Sequence, residues 1–473
     1  MPVFTARFPF YSETKIMLKE AVAYYNQLLE DFDLREESRA ALDTGLERNR
    51  LIFGGRRLTP YLRPHFVTDA DWRRVVGICE TVWSALQKVK DAAVESEEIL
   101  DELGITEIER ELVAIDPKYR QVSPTARLDS FLTENSYSYV ELNGESPAGI
   151  AYADSATEIF QNLPVMKKFA EAYDLRVLEG RSKMLRVLLA AYEEFLGRKP
   201  ERNPVIAIVD LKDLPTQKEF ELFRDYFESE GCTSLICAPQ ELEFSGGRLI
   251  YKGVEIDIVY KRLLVNEYLP IMNDFPALLD AYRAGAICMV NSFRSKLVHK
   301  KAIFAVLTNE RYANLFNEAE LGAIQAHIPW TRKFREEKTF NQGAEIDLVE
   351  WTRANPGKLV LKPNDDYGGH GIYIGWNSDA GEWSEAIQTA LADGDYLVQE
   401  RVQTSKEIFP YVDESGQIKM EEQLVDLDPL LFDGKVGSAF TRLSSSELAN
   451  VSSGGGMVPT FIISEKDDET ANE

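Results

Sequence analysis

The run NPVIAIVDL (residues 203–211) is apolar at five consecutive positions. A strand with one face in water alternates apolar and polar residues. A strand apolar on both faces is covered on both, as in a parallel sheet packed between helices. The helical pattern TQKEFELFRDYFESEG and a second apolar run, CTSLICAP, follow it in a βαβ rhythm. The segment LEFSGGRLIYKGVEIDIVYKR then reads as a hairpin feeding another strand. The fold class is therefore α/β, with a small α/β subdomain over residues 203–290.

At 473 residues the chain is too long for one ordinary core. Apolar residues recur at three- and four-residue spacing from Glu13 to about Asp31 and from Thr68 to about Leu103, which predicts a mainly helical region over residues 1–120. Between these helices, LIFGGRRLTPYLRPHFV carries a Gly-Gly pair and two prolines that break any helix. It reads equally as a turn or as part of a substrate site. SYSYVELNGESPAG predicts a short strand ending in a loop, with helices over roughly 155–198. The remainder, to about residue 462, alternates helices with strands such as KLVLKPN, DYLVQERV and GSAFTRLS. Residues 463–473 are charged and turn-prone, and predict a disordered acidic tail.

Lys and Arg number 53 against 78 Asp and Glu, a formal charge of −25 that repels nucleic acid and anionic membrane in the absence of a basic cluster. An anionic ligand would need a local convergence of Lys, Arg and a divalent cation. Cys79, Cys232, Cys237 and Cys288 form no C-x-x-C pair and no zinc-type spacing, so buried reduced thiols are expected. The first residues lack the pattern of a signal peptide, and a cytoplasmic protein is expected.

LVLKPNDDYGGHGIYIG (359–375) sets an apolar strand that delivers Lys362 against Gly368, Gly369 and Gly371. Glycines permit positive φ and close backbone approach, so such a loop can cradle a polyphosphate beside an ammonium. Neither G-x-x-x-x-G-K-[ST] nor G-x-G-x-x-G is present, and Asp-Asp-Tyr-Gly-Gly is also a good hairpin turn. About 25 residues on, DYLVQERV supplies another strand ending at Gln399 and Glu400.

This arrangement resembles the glycine-rich lid and hinge of ATP-grasp enzymes. In most of those, a metal-binding Glu-x-Asn follows the hinge; here YVELNGES places Glu141 and Asn143 far upstream. That order resembles the circularly permuted branch, which includes eukaryotic glutathione synthetase and the synthetase part of glutathionylspermidine synthase. The resemblance spans roughly residues 120–462. It implies an ATP-grasp core over 121–202 and 291–462, with the α/β subdomain inserted for substrate.

Carried over by position, the resemblance implies a role for each matching residue. Arg127 in ARLDSFL and Arg442 in FTRLSSSELANVSSGGGMVPTF would be catalytic, stabilising transferred or tetrahedral charge. Lys301 in HKKAIFAVL and Lys362 would bind the triphosphate, with Gly368, Gly369, Gly371, Gln399 and Glu400 completing the ATP site. Glu141, Asn143 and Asp366 are hard oxygen ligands suited to Mg²⁺. Arg262 in DIVYKRL, Ser146, and Gly454, Gly455 and Gly456 would contact substrate. Arg262 alone is equally readable as a strand-end ion-pair residue, and His370 is given no acid–base role.

The implied activity is an ADP-forming carboxylate–amine ligase working through an acyl phosphate on an amino acid, small peptide or polyamine. ATP and Mg²⁺ would be its cofactors, and a small acid and a small amine its partners, with a homodimer left open. A non-ligating nucleotide-binding scaffold and a phosphotransferase are the alternatives. No Cys/His pair is placed to replace the hydrolase domain of bifunctional glutathionylspermidine enzymes, so hydrolase activity of that kind is not expected.

Overall fold

The computed structural model describes residues 12–53, 55–121, 123–366, 368–446 and 455–466. Five apolar positions in a row do produce a covered strand. Ile206–Val209 lies inside a four-stranded parallel sheet, ordered Cys288–Val290, Ile258–Lys261, Ile206–Val209, Ser234–Cys237. The crossover helix Gln217–Ser229 buries Phe220, Phe223 and Phe227, spaced so that they share one face. The expected hairpin is a three-stranded antiparallel sheet, Glu243–Ser245, Arg248–Tyr251 and Val254–Ile256. Its two-residue turns, Gly246–Gly247 and Lys252–Gly253, have positive φ throughout, as the twist of such hairpins requires.

The N-terminal third is helical, with two breaks that periodicity alone does not reveal. Asp31 accepts a hydrogen bond from Leu34 N at 3.1 Å and so starts a second helix, Phe32–Arg48, after Ser12–Leu28. Ser96 likewise caps Glu97–Leu103 and divides it from Asp69–Glu95. The helices expected over 155–198 are Ile150–Asn162, Pro164–Phe169 and Arg181–Leu196, with a strand, Tyr173–Arg176, between the last two. That strand exists because Thr460–Glu465 pairs with it on one edge and with His65–Thr68 on the other. Ser464 and Glu465, assigned from sequence to a disordered tail, are thus held in a sheet; residues 467–473 lie outside the described residues. All four cysteines are buried and unpaired.

Besides two small two-stranded ribbons, Ile52–Phe53 with Arg56–Arg57 and Lys338–Asn341 with Ala344–Asp347, two larger antiparallel sheets complete the sheets among the described residues. One links Tyr137–Asn143, Thr125–Leu132, Ile418–Phe432, Lys435–Ser444 and Gly456–Val458, with Ser405–Val412 beside the first half of Ile418–Phe432. The other has the order Thr331–Lys333, Tyr396–Glu400, Leu359–Pro363, Tyr373–Ile374. No helix among the described residues is long and apolar enough to cross a membrane.

Candidate active site

A cavity of about 750 Å³ is bounded by the two antiparallel sheets and the carboxyl edge of the parallel sheet. Its floor is one face of the larger antiparallel sheet, where strand pairing sets the polar residues side by side. Arg127 pairs with Asn143, Asp129 with Glu141, and Asp426 with Arg442. Residues two apart on a strand share a face, so Arg-x-Asp and Glu-x-Asn present four polar groups together.

Both arginines are engaged by carboxylates. Arg127 forms a two-bond pair with Asp129 (2.8 and 3.1 Å) and donates to Ala148 O at 2.8 Å. Arg442 bridges Asp129 and Asp426 through Nη2 and reaches Asp428 at 3.0 Å through Nε. Asn143 Nδ2 donates to Asp129 Oδ1 at 2.9 Å. Two guanidiniums thus face three buried aspartates. Burial raises the Asp129 carboxyl, but Arg127 and Arg442 outweigh it and hold the group at about 2. Asp426 and Asp428 are pushed up by burial, which Arg442 offsets only in part.

The second wall is the smaller antiparallel sheet. Val360 pairs with Ile374 on one side and Gln399 on the other; with Ile372 and Trp376 they give the cavity an apolar slot beside the backbone of 399–402. Gln399 Nε2 is tied to Thr331 Oγ1 at 3.0 Å, Glu400 accepts from Asn341 at 3.1 Å, and the Arg401 guanidinium lies 4.3 Å from the Trp376 ring centroid. Lys362 enters from this sheet, buried, its ammonium on Val140 O at 3.1 Å. Burial lowers its pKa to about 8, against the pull of Glu141.

The carboxyl edge of the parallel sheet forms the third wall. Chain order reverses between Ile206–Val209, which connects to Ser234–Cys237 on one side, and Ile258–Lys261, which connects to Cys288–Val290 on the other. Such a switch point opens a crevice outside the strand ends, where ligands of α/β sheets bind. The residues that follow these two strands are Asp210 and Arg262, both on the cavity wall. Arg262 Nη1 donates to Pro147 O (2.7 Å) and Tyr260 OH (3.0 Å), and Nη2 lies 3.4 Å from buried Glu219. Its Nε is buried with no hydrogen-bond partner among the described residues. Burial pushes the Asp210 carboxyl up to about 6, Arg262 offsetting part of the shift. Glu219 is itself held by Gly149 N and Ala151 N at 2.8 and 3.1 Å.

Of the residues singled out in sequence, Arg127, Glu141, Asn143, Ser146, Arg262 and Arg442 line this cavity, as do Lys362, Gly368, Gly369, Gln399 and Glu400. Lys301 stands just behind the wall, 3.2 Å from Glu141 and donating to the Asp366 carbonyl. Neither Asp366 nor Gly371 is among the lining residues. Gly456 belongs to a strand opposite Leu443, packs against Tyr61 and Leu58, and is not among the lining residues; Gly454 lies outside the described residues. Reasoning from sequence missed Asp210, Asp426 and Asp428. The alternation in VDLD, two carboxylates on one face of the otherwise apolar second half of a strand, was the available signal.

A solved structure shares this architecture. A glutathione synthetase-like effector from Globodera pallida superposes with a TM-score of 0.59 at 14% identity, over 96% of this chain and 98% of its own. The likeness is one of fold. A putative gamma-glutamylcysteine synthetase from Methylobacillus flagellatus gives a TM-score of 0.40 at 9% identity, covering 82% of this chain and 86% of that one. D-alanyl-alanine synthetase A from Vibrio cholerae gives 0.25 at 11%, covering 48% and 68%. No protein-family model and no curated protein sequence matches the chain.

Proposed function

We propose that the chain is an ATP-dependent, ADP-forming ligase of permuted ATP-grasp architecture that joins a small acid to a small amine. The observation that carries this reading is the convergence on one cavity of an apolar slot beside a strand-end backbone, a buried lysine, the Glu141–Asn143 pair and the Arg262 edge. A purine suits the slot between Val360, Ile372, Ile374 and Trp376. Lys362 and Lys301 would take the phosphates. Glu141 and Asn143, hard oxygen donors on one strand face, fit Mg²⁺, which when bound would neutralise phosphate charge.

The donor is proposed to be an amino acid or short peptide. Arg262 leaves Nε and one Nη2 proton unused, the edge that accepts a carboxylate through two parallel bonds. Asp210 stands beside it and suits an ammonium, so together they favour a zwitterion over a simple acid. A donor carboxylate would attack the terminal phosphate of ATP, giving ADP and an acyl phosphate; the amine would then displace phosphate. Arg127 and Arg442 act chiefly by fixing Asp129, which in turn orients Asn143.

Supplied with Mg²⁺, ATP, amino acids, short peptides and polyamines, the protein should release ADP and phosphate only when an acid and an amine are both present. Turnover indifferent to every amine, with a phosphorylated acid accumulating, would establish a phosphotransferase instead. Absence of Mg-ATP binding in calorimetry would overturn the ligase and the phosphotransferase readings alike. Arg262→Met should raise KM for the donor roughly 10- to 100-fold, the value of one charged hydrogen-bond pair, with kcat changed far less. An unchanged donor KM would remove Arg262 from the substrate site.

A further inference from the structure

Lys296 opens the short helix Lys296–His299, and Lys300 follows it. Both are buried, neither is among the residues lining the cavity, and the chemistry proposed above uses neither. The Lys296 ammonium lies 2.6 Å from Asp365 Oδ1 and 2.9 Å from Glu145 Oε1. Lys300 takes the other Asp365 oxygen at 2.8 Å and Glu109 at 3.1 Å, while Lys261 takes the other Glu145 oxygen at 3.3 Å. By their closest contacts, three ammoniums and three carboxylates form one charge-balanced chain, in the order Glu109, Lys300, Asp365, Lys296, Glu145, Lys261.

The two acids that Lys296 joins belong to the supports of different cavity walls. Glu145 is knit to the strand end that carries Arg262: Val265 N donates to Glu145 Oε2 at 2.8 Å, and Arg262 Nη1 donates to Pro147 O at 2.7 Å. The loop 145–147 and the Arg262 guanidinium are thus one hydrogen-bonded unit. Asp365 follows the strand that carries Lys362, in a segment held by the next helix: Asn364 O accepts from Lys301 N at 3.0 Å, and Asn364 Oδ1 from Ala302 N at 2.9 Å. Asn266 Nδ2 adds a longer bond, 3.4 Å, to the Asp365 carbonyl. The helix Lys296–His299 sits directly on the loop before Glu145, since a Cβ on Gly144 would come within 3.3 and 3.4 Å of the Val298 and His299 backbone.

A buried ion chain adds little net stability over apolar packing of the same volume, but its charge-assisted bonds fix the distances between the segments that supply them. Burial works against charge on Lys296, Glu145 and Asp365. Their mutual attraction outweighs it, holding the lysine above its ordinary pKa and both carboxyls below theirs, so all three stay charged at neutral pH. Under the ligase reading, on which this inference rests, Arg262 holds the donor and Lys362 the phosphates. The donor carboxylate must reach the terminal phosphorus in line, and a misplacement of about 1 Å can cost about 10²-fold in rate. We propose that Lys296 is a positioning residue for this transfer: by bridging Glu145 and Asp365 it sets the separation of the Arg262 wall from the Lys362 strand.

Lys296→Met alone would leave Glu145 and Asp365 short of a cation and should chiefly destabilise the protein. Lys296→Met combined with Asp365→Asn removes one charge of each sign from the middle of the chain and leaves two complete ion pairs, Glu109 with Lys300 and Glu145 with Lys261. With single amino acids or dipeptides as donors and glycine or spermidine as amines, this double variant should lose about 10- to 100-fold in kcat for ADP release. KM for ATP and for the donor should each stay within about threefold of wild type, a split that a merely structural role would not produce. Lys296→Arg keeps the charge but alters its reach; it should melt near the wild-type temperature and lose about fivefold in kcat at unchanged KM. Wild-type kcat in either variant, or a loss confined to KM, would overturn the proposal. A wild-type protein that releases no ADP with any of these acids and amines would instead overturn the ligase reading itself.

Discussion

Lys362→Met is expected to weaken Mg-ATP binding by roughly 10- to 100-fold and, at the same time, to make the protein more stable. The two effects have one cause. Lys362 is an ammonium buried with a carbonyl contact to Val140 and a carboxylate, Glu141, as its nearest attractive charge. Burial outweighs both and lowers its pKa from 10.5 to about 8. A lysine that binds protons less readily when folded penalises the folded state wherever it is charged, by about 3 kcal/mol for this shift. That penalty is complete below pH 8 and disappears as pH rises from 8 towards 10.5, where the unfolded chain also loses the proton. Methionine should thus raise the melting temperature at pH 7, and the gain should shrink across pH 8 to 10.5. Under the ligase reading, a bound triphosphate would supply the opposing charge. Normal nucleotide affinity in the variant, measured by calorimetry, would take Lys362 out of the phosphate site. A lower melting temperature at pH 7 would show that burial is not its dominant interaction.

Arg442→Met should act in the opposite sense, destabilising the protein by about 3–5 kcal/mol. Arg442 contacts Asp129, Asp426 and Asp428, and only Arg127 would remain to face all three buried carboxyls. Asp426 and Asp428 already have raised pKa values from burial, so in the variant both would need to be protonated. Stability should then improve as pH falls, until Asp129 also takes a proton. Adding Asp428→Asn should recover part of the loss, since it removes one of the unpaired charges. A double-mutant cycle by denaturant unfolding measures the coupling, which should exceed 1 kcal/mol. Additive effects would mean that the Arg442–Asp428 contact contributes little.

How much was legible depended on whether a residue's role is local. The glycine loop, the Glu-x-Asn pair and the strand-end Arg262 each carry their signal within a few residues, and all of these except Gly371 reach one cavity. The covered strand Ile206–Val209 was legible for the same reason, five apolar residues in succession. Asp426 and Asp428 were missed because their partners lie across strands: Arg442 on the neighbouring strand, and Ser130 N and Arg127 about 300 residues away. Tyr173–Arg176 was read into a helical stretch because four residues with every second one exposed carry too little pattern to separate from helix. Asp365 and Asp366 look alike in sequence; the structure draws Asp365 into an ion cluster with Lys296 and Lys300. Gly456 belongs to a glycine run that suggests a loop, but the Leu443 edge extends it as a strand.

The strand Thr460–Glu465 carries a consequence for synthesis. It is the middle strand between His65–Thr68 and Tyr173–Arg176, so both partners emerge from the ribosome long before it does. At 5–20 residues per second, the wait between Thr68 and Thr460 is about 20–80 s. For that interval Phe66 and Val67, buried in the finished protein, belong to a nascent chain without the strand that covers them. The segment His65–Thr68 therefore waits longest for its partner during synthesis, and a translational pause late in the message would lengthen that exposure.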